Sequence, residues 1–420
     1  MGCSGTFHSL DRMTSSATAE RASTPTVAKT GGSGTRLIAL DGLRGVAAIV
    51  VVLYHLSLVA EPVLRRQGGS GVGSVLWWVT QTPLKLLTAG SEAVLVFFVL
   101  SGLVVALPAL KPGGFSWAGF LSGRMARLYL PVWASIAIGT ALIWLIPRSD
   151  SAVTQGTWME NSQATSVTWG ALLNQASLTR ASYDVNNVLW SLRWELVFSL
   201  LLPLFVALAI VVSRHWVAAL GVAVALGALG VLAGVDAFRY LPVFFIGTLM
   251  AVRLEAIREW MTRRLLRPRA TLWGAALVVG SPLLLIAQWL LRPVAPSGSL
   301  ASTVLAQLSL LGAAGLVLAA IAVRPARSAL EARAPQWLGK VSFSLYLVHM
   351  PILATLTFVL GDTRWWLVAL LTVPLALLAA WGFNRVVERP SHRLARGITR
   401  TVSSRIDAHR VSRPAVRGRG

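Results

Sequence analysis

Long apolar segments recur along this 420-residue chain and constrain its fold more than any other feature. They have the length, about 17–24 residues, that a helix needs to cross a bilayer. Charged residues make up only 13% of the chain, whereas soluble domains carry about 25%. The sequence therefore predicts an all-α, polytopic transmembrane helical bundle of about ten spans. These lie near residues 37–59, 86–109, 128–147, 189–212, 216–235, 238–253, 271–291, 300–323, 341–360 and 365–385.

The basic residues of the connecting segments predict the orientation of this bundle. An even number of spans places both termini on one side, and the segments on that side hold 28 of the 38 Lys and Arg residues, against 8 in the opposite loops. Cytoplasmic loops of membrane proteins carry the excess of Lys and Arg. We therefore expect both termini to be cytoplasmic and the chain to be a multi-pass protein of the plasma membrane, embedded in the lipid bilayer.

The net charge of +22 does not indicate nucleic-acid binding. The basic residues stand in short loops and at the C-terminus, without interleaved aromatic residues and without a recognisable nucleic-acid module. Cys3 is the only cysteine, so neither an intrachain disulfide nor a cysteine metal cluster is expected. The prediction is no nucleic-acid partner and no metal.

The composition divides the chain into three parts. Residues 1–35 are rich in Ser, Thr, Ala and Gly and are predicted to form a disordered cytoplasmic tail. Residues 36–393 hold all the apolar segments, and residues 394–420 are predicted to form a second, basic disordered tail on the cytoplasmic side. The connection from 148 to 188 is the only long external loop. Loops of this length are usually functional or disordered.

The first apolar segment contains Arg44 and His55. Eleven residues of α-helix turn through about three full turns, so both side chains lie on one helix face, about 16 Å apart along the axis. Asp41 falls on the same stripe. Charged and titratable residues inside a membrane segment are costly and usually functional. The alternative is that Arg44 only extends its charged end to the membrane interface, and that His55 is only a hydrogen-bonded residue of the core.

Glu195 is the candidate partner of His55. In the predicted orientation, both side chains lie a few residues inside the outer ends of their helices, about 7 and 9 Å deep. A carboxylate that accepts a hydrogen bond from imidazole would orient the ring and raise its basicity. The alternative is a local ion pair with Arg193, although residues two apart do not share a helix face.

Arg124 and Arg127 lie three residues apart, on one face at the cytoplasmic start of the third span. Paired guanidinium groups suit phosphate recognition, because arginine offers bidentate donors and stays charged. Arg44 approaches the same depth from the first span. The alternative is a pair of arginines that only anchors the helix at the membrane edge.

Two further segments carry candidate polar groups. Tyr346 and His349 lie in the ninth span, where the missing N–H of Pro351 leaves a backbone carbonyl free for a polar partner. A structural role for His349 is at least as plausible as a catalytic one. Trp190 lies beside the external mouth, where it would stack on a sugar face or anchor the helix at the interface.

Seven sequence blocks closely resemble the membrane-bound acyltransferase 3 family of bacterial O-acyltransferases. The resemblance covers about residues 37–393. It rests on RLIALDGLRGVAAIVVVLYH, EAVLVFFVLSG, RMARLYLP, LWSLRWELVFSLLLP, YLPVFFIGTLMA, VSFSLYLVHMP and VVERP. The Arg-x10-His signature of the family falls on Arg44 and His55, and its Arg-x2-Arg signature falls on Arg124 and Arg127.

The resemblance implies that residues 36–393 form an acyltransferase domain that takes an acyl group, expected to be acetyl, from acyl-CoA on the cytoplasmic side. The acceptor would be a hydroxyl of a carbohydrate, an envelope glycan or a glycosylated metabolite. In this hypothesis His55 and Glu195 are catalytic, while Arg44, Arg124 and Arg127 hold acyl-CoA. The list of candidate acceptor-binding residues is Asp41, Trp190, Tyr346 and His349.

The competing hypothesis is a transporter whose intramembrane charges line a solute or proton path. We find no obvious inverted repeat and no matching pair of broken helices in the sequence. Purified protein would separate the two classes, because thioester-dependent acylation indicates an enzyme and solute flux without acyl-CoA indicates a transporter. The sequence leaves open the identity of the acceptor, the length of the acyl chain, and whether His55 acts as a base or carries the acyl group itself.

Overall fold

A computed structural model describes residues 37–112, 115–179, 185–265 and 270–411. Within these ranges the chain is mainly helical and contains no β-strand, which confirms the predicted all-α class. The helices, in chain order, are α1 (Ile38–Gly68), α2 (Val75–Gln81), α3 (Gly90–Ala106), α4 (Trp117–Leu145), α5 (Trp158–Ser162), α6 (Trp169–Ser177), α7 (Leu189–Val212), α8 (Trp216–Leu232), α9 (Asp236–Val252), α10 (Leu254–Leu265), α11 (Ala270–Ala275), α12 (Ser281–Leu285), α13 (Ala287–Leu290), α14 (Leu300–Ala322), α15 (Arg324–Leu330), α16 (Arg333–Leu360), α17 (Trp365–Phe383) and α18 (Arg389–Val411).

The described helices include seven that are long and apolar enough to cross a membrane, or eight if the bent pair α9 and α10 counts as one span. All ten predicted apolar windows are helical, but the count of ten crossings is not confirmed. Two windows, now α7 and α8, belong to one helical run, Leu189–Leu232. The window at 271–291 is broken into short helices, and α9 has only 17 residues.

Helix α1 lies against α16 at the centre of the bundle. The close approach depends on Gly45, where an added side chain would meet the backbone of Pro335 and Gly339. Small residues let transmembrane helices pack with their backbones close together. This contact sets the register between the two helices that carry His55 and His349.

The connection between α4 and α7 enters the bundle instead of staying at its surface. Asn186 is fully buried and donates a side-chain hydrogen bond to the carbonyl oxygen of Leu347 over 2.8 Å. Leu347 lies four residues before Pro351 in α16, so its carbonyl is the one that the proline leaves without a helical donor. The predicted polar partner of this carbonyl is therefore confirmed. Because the buried segment leads directly into α7, this helix begins inside the protein.

Arg148 fixes the beginning of the same connection. Its guanidinium donates to the carbonyl oxygen of Ala164 over 2.9 Å and to Thr355 Oγ1 over 3.3 Å, and it stacks on the Phe358 ring at 5.2 Å. Burial lowers the pKa of Arg148 to about 10, so the side chain remains charged at neutral pH. The long loop is thereby tied to α16, the helix that carries His349.

The C-terminal segment differs from the sequence prediction. Disorder was expected from residue 394 onward, but α18 continues as a helix to Val411 and packs along α4. Its small residues Ala395, Thr399 and Ser403 recur every four positions and meet Gly119 and Gly123 of α4. Low hydrophobicity alone suggested disorder, whereas small residues at helical spacing provide a packing face. The predicted tail at 1–35, and residues 412–420, lie outside the described residues.

Candidate active site

His55 and His349 form a hydrogen-bonded pair, the histidine pair, between α1 and α16. His349 Nε2 lies 3.2 Å from His55 Nδ1, and both rings are buried. His349 Nδ1 lies 2.9 Å from the carbonyl oxygen of Leu345, and His55 Nδ1 lies 2.9 Å from that of Val51. Carbonyl oxygens only accept, so both Nδ1 atoms are protonated in the arrangement that satisfies every contact. His55 Nδ1–H then donates to both the carbonyl oxygen of Val51 and His349 Nε2, and His55 Nε2 keeps a free lone pair.

The lone pair of His55 belongs to a ring that lines a cavity of about 360 Å³, the histidine cavity. No described residue hydrogen-bonds to His55 Nε2. Trp158 of the long loop lies over the cavity, with its ring centroid 5.4 Å from that of His55. The other aromatic and polar lining residues include Tyr54, Asn187, Trp190, Arg193, Trp194, Asp236, Arg239 and Tyr240. The imidazole of His55 thus lines a space that has both aromatic walls and hydrogen-bonding groups.

Arg44, Arg124 and Arg127 come together in a second cavity of about 130 Å³, the arginine cavity. They come from α1 and α4, so the structure brings together the three arginines that the sequence analysis grouped. Among the described residues, neither Arg44 nor Arg127 has a hydrogen-bond or ion-pair partner. Two guanidinium groups without a direct carboxylate contact therefore line this space.

Glu195 lines the arginine cavity and not the histidine cavity. Its Oε1 accepts from Arg124 Nη2 at 2.6 Å and from Ser101 Oγ at 3.3 Å. Arg124 Nε also donates to Ser199 Oγ over 2.6 Å. The predicted pairing of Glu195 with His55 is wrong, and so is the alternative pairing with Arg193. The depth estimate failed because α7 begins inside the protein and not at the membrane surface.

Tyr346 lines both the arginine cavity and the histidine cavity. Its hydroxyl lies 2.6 Å from Ser191 Oγ and donates to the carbonyl oxygen of Val188 over 3.0 Å. Both partners belong to the beginning of α7, so the ring is held from two helices. The two cavities are neighbours with this tyrosine between them.

A third space, of about 420 Å³, lies between α4 and α18 and is called here the α4–α18 cleft. It shares Arg124 and Arg127 with the arginine cavity, and α18 adds His392 and Arg396. The three cavities are neighbours that share lining residues, Tyr346 between the first two and Arg124 and Arg127 between the last two.

The remaining predicted site residues separate into two groups. Trp190 lines the histidine cavity, as its place at the start of α7 suggested. Asp41 lines none of these three cavities, and its backbone lies against Gly339 at the contact of α1 with α16. No group of metal-ligating side chains occurs among the described residues.

Sequence reasoning missed several residues of the site. Ser101 and Ser199 hold Arg124, but a serine in a membrane helix carries no signal that identifies its partner. Trp158 lies in the long loop, whose length alone marked it as a candidate. Glu388 accepts hydrogen bonds from Ser344 over 2.5 Å and from Asn384 over 2.9 Å, and it lies in the VVERP block. The signal available in the sequence was an acidic residue just after the last apolar segment; its burial and its π-helical turn, Asn384–Glu388, come from the structure.

Comparison with known proteins decides the family. The sequence model of the acyltransferase 3 domain matches residues 37–385, which include all the residues of the histidine pair and of the arginine cavity. The chain belongs to the acyltransferase 3 family. It is therefore an acyltransferase, and its long apolar helices make it a multi-pass membrane protein.

Two relatives of this acyltransferase are similar over most of their length. Acyltransferase MdmB of Streptomyces mycarofaciens is 29% identical over 386 residues, covering 86% of this chain and 92% of the relative. O-acetyltransferase PaAT-1 of Phomopsis amygdali is 28% identical over 384 residues, covering 77% of this chain and 73% of the relative. No solved structure matches the chain.

Proposed function

We propose that this protein is an O-acyltransferase that moves an acetyl group from acetyl-CoA to a hydroxyl of a carbohydrate or glycosylated metabolite. The observation that carries the proposal is the free Nε2 of His55, which belongs to a ring lining a polar, aromatic cavity next to the arginine cavity. The similarity to a protein named O-acetyltransferase supports the choice of oxygen as acceptor and acetyl as the transferred group.

The donor is proposed to bind through its phosphates in the arginine cavity. Arg44 and Arg127 form no ion pair or hydrogen bond with a described residue, so the N–H donors of both are available to a ligand. Arg124 is held by Glu195 and Ser199, which fixes the direction of its remaining N–H donors. The role of Glu195 is therefore to position Arg124. The pantetheine arm would extend past Tyr346 toward His55.

The transfer step requires one base, and His55 Nε2 provides it. His55 takes the proton of the acceptor hydroxyl while the hydroxyl oxygen attacks the thioester carbonyl carbon. The C–O bond forms, the C–S bond breaks, and the proton on His55 passes to the leaving thiolate. The products are an ester and free coenzyme A, and no other reactant is needed.

The acceptor is proposed to occupy the histidine cavity. Flat aromatic side chains such as Trp158, Trp190 and Tyr240 provide surfaces for the apolar faces of sugar rings. Asn187 and Asp236 provide hydrogen-bonding groups for sugar hydroxyls. A site with both kinds of group suits a carbohydrate better than a purely apolar acceptor.

His349 is proposed to position His55. Replacing it with phenylalanine removes one of the two acceptors of His55 Nδ1–H and leaves the carbonyl oxygen of Val51. We expect kcat to fall about 3- to 10-fold, since a neutral hydrogen bond contributes about 0.5–1.5 kcal/mol. The KM for acetyl-CoA should not change, because His349 lies outside the arginine cavity. His349→Gln keeps an acceptor oxygen and should recover part of the rate. Equal kcat values for wild type and His349→Phe would rule out this role.

The proposed function is tested with purified full-length protein in lipid nanodiscs and with the native host. We expect extracts of the host to contain a hydroxyl compound whose mass is raised by an acetyl group, and this species should disappear in a strain that carries only His55→Ala. The purified wild type should form it from acetyl-CoA and the unmodified compound. The proposal fails if no acetylated species depends on the gene and the purified protein releases no coenzyme A with host extract.

A further inference from the structure

The α4–α18 cleft extends the site beyond the part of the chain that the family model matches. That match ends at residue 385, whereas His392 and Arg396 belong to the helix that follows. The cleft shares Arg124 and Arg127 with the arginine cavity. A ligand bound by these arginines therefore has direct access to α18.

Close backbone contacts hold α18 against α4 beside the cleft. Side chains added at Gly119 or Gly123 would meet Ser403, Thr399 and the backbone of Ala395. Glycines four residues apart, packed on small residues of the same spacing, allow the close helix approach seen in membrane proteins. The α18 residues that line the cleft are consequently held at a constant distance from the α4 arginines.

The charge of the cleft selects an anion. Its lining holds three arginines, Arg124, Arg127 and Arg396, together with His392, and none of its described lining residues is acidic. Glu195 compensates Arg124, and Glu388 lies 3.8 Å from His392 Nε2, which still has no hydrogen-bond partner among the described residues. Neither Arg127 nor Arg396 forms an ion pair or hydrogen bond with a described residue. More than one phosphate group would fit this surplus of positive charge.

Aromatic residues form another part of the cleft lining. Phe115 and Phe120 both line it, with their ring centroids 5.3 Å apart, and Trp117 stacks on Phe120 at 5.6 Å. Aromatic faces of this kind accept a flat purine base. Basic groups combined with stacked aromatic rings are the recognition elements of a nucleotide that bears several phosphates.

We propose that the α4–α18 cleft binds the nucleotide end of acyl-CoA, with Arg396 and His392 of α18 contacting its phosphates and Phe115 and Phe120 contacting its adenine. This inference rests on the proposed function, in that acyl-CoA is the donor. It adds a C-terminal helix to the donor site and places the phosphates at Arg124 and Arg127, which line both the cleft and the arginine cavity. The pantetheine arm then passes through the arginine cavity toward His55.

The test measures binding of coenzyme A and of adenosine 3′,5′-bisphosphate to the full chain in neutral-lipid nanodiscs by calorimetry. Loss of a charge-assisted contact in Arg396→Ala should weaken both affinities about ten- to a hundredfold. Arg400→Ala is the matched control, because Arg400 is exposed on the same helix and does not line the cleft. S-acetylpantetheine lacks the nucleotide. Acyl transfer from it should therefore be equal in the wild type, Arg396→Ala and Arg400→Ala.

A second variant tests the helix contact itself. Gly123→Leu should displace α18 from α4 and weaken coenzyme A binding as much as Arg396→Ala does, while a folded protein still elutes as a single species. If Gly123→Leu does not fold, the comparison of Arg396→Ala with Arg400→Ala remains decisive because both residues are at the surface.

Different results would separate this inference from the proposed function. Unchanged coenzyme A affinity in Arg396→Ala, with acetyl transfer intact, would overturn the inference alone. Arg396-dependent binding of adenosine 3′,5′-bisphosphate without any acyl transfer would support the cleft as a nucleotide site and overturn the function. If only anionic lipid competes for Arg396, and the nucleotide does not bind, the cleft is a lipid headgroup site and the inference is wrong.

Discussion

Replacing His55 with alanine is expected to lower the rate of acetyl transfer by about 10²–10⁴-fold, the usual contribution of a general base. The ring lines the histidine cavity, and hydrogen bonds to Val51 and His349 leave its Nε2 free for the acceptor hydroxyl. The measurement is initial-rate release of coenzyme A from acetyl-CoA with saturating acceptor. Acetyl-CoA affinity should stay within about twofold, because His55 does not line the arginine cavity.

His215→Ala provides the matched control for this experiment. His215 is exposed in the short turn between α7 and α8, so its removal should leave the rate unchanged. Thermal unfolding of both variants verifies that a loss of activity does not reflect a loss of fold. A folded His55→Ala enzyme with near-normal turnover would contradict the assignment of His55 as the base.

Removing the Arg127 side chain is expected to weaken acetyl-CoA binding by about ten- to over a hundredfold, since hydrogen bonds to charged groups contribute about 1.5–3 kcal/mol each. Of the two α4 arginines, Arg127 is the one whose replacement gives the result that is easier to interpret. It has no partner among the described residues, whereas Arg124→Ala would also leave the carboxylate of Glu195 without its cation. Calorimetry with acetyl-CoA measures the effect.

Two further variants complete the Arg127 experiment. Arg127→Lys should recover only part of the affinity, because lysine keeps the charge but loses the bidentate geometry. Arg263→Ala, at an exposed arginine of α10, should bind acetyl-CoA normally. If Arg127→Ala binds acetyl-CoA as tightly as Arg263→Ala does, the donor-binding role is wrong. Arg124 and Arg127 would then be interpreted as an anchor at the membrane edge.

Local chemistry made several parts of the site predictable. The spacing of Arg124 and Arg127 placed both guanidinium groups on one face of α4, and both line the arginine cavity together with Arg44. The missing N–H of Pro351 predicted a free carbonyl, which Asn186 now satisfies. These inferences depend only on helix geometry and on backbone hydrogen bonding, which hold wherever the helix is located.

The partner of Glu195 was not predictable in this way. Its estimated depth assumed that α7 begins at the membrane surface, but the segment around Asn186 carries the start of this helix into the bundle. Glu195 therefore reaches Arg124 and not His55. The true partner of His55 is His349, on a helix almost 300 positions later, and no local pattern connects the two residues.

The apolar segments and their polar interruptions determined by themselves that this chain is a helical membrane protein with Arg44, His55, Arg124 and Arg127 as its candidate functional groups. Only the tertiary structure decided which of these groups meet, because the packing of α1 on α16 and of α4 on α18 depends on close backbone contacts at Gly45 and Gly123. Helix formation in a membrane follows from local hydrogen bonding and hydrophobic length, whereas the pairing of helices depends on the shape of surfaces far apart in the chain.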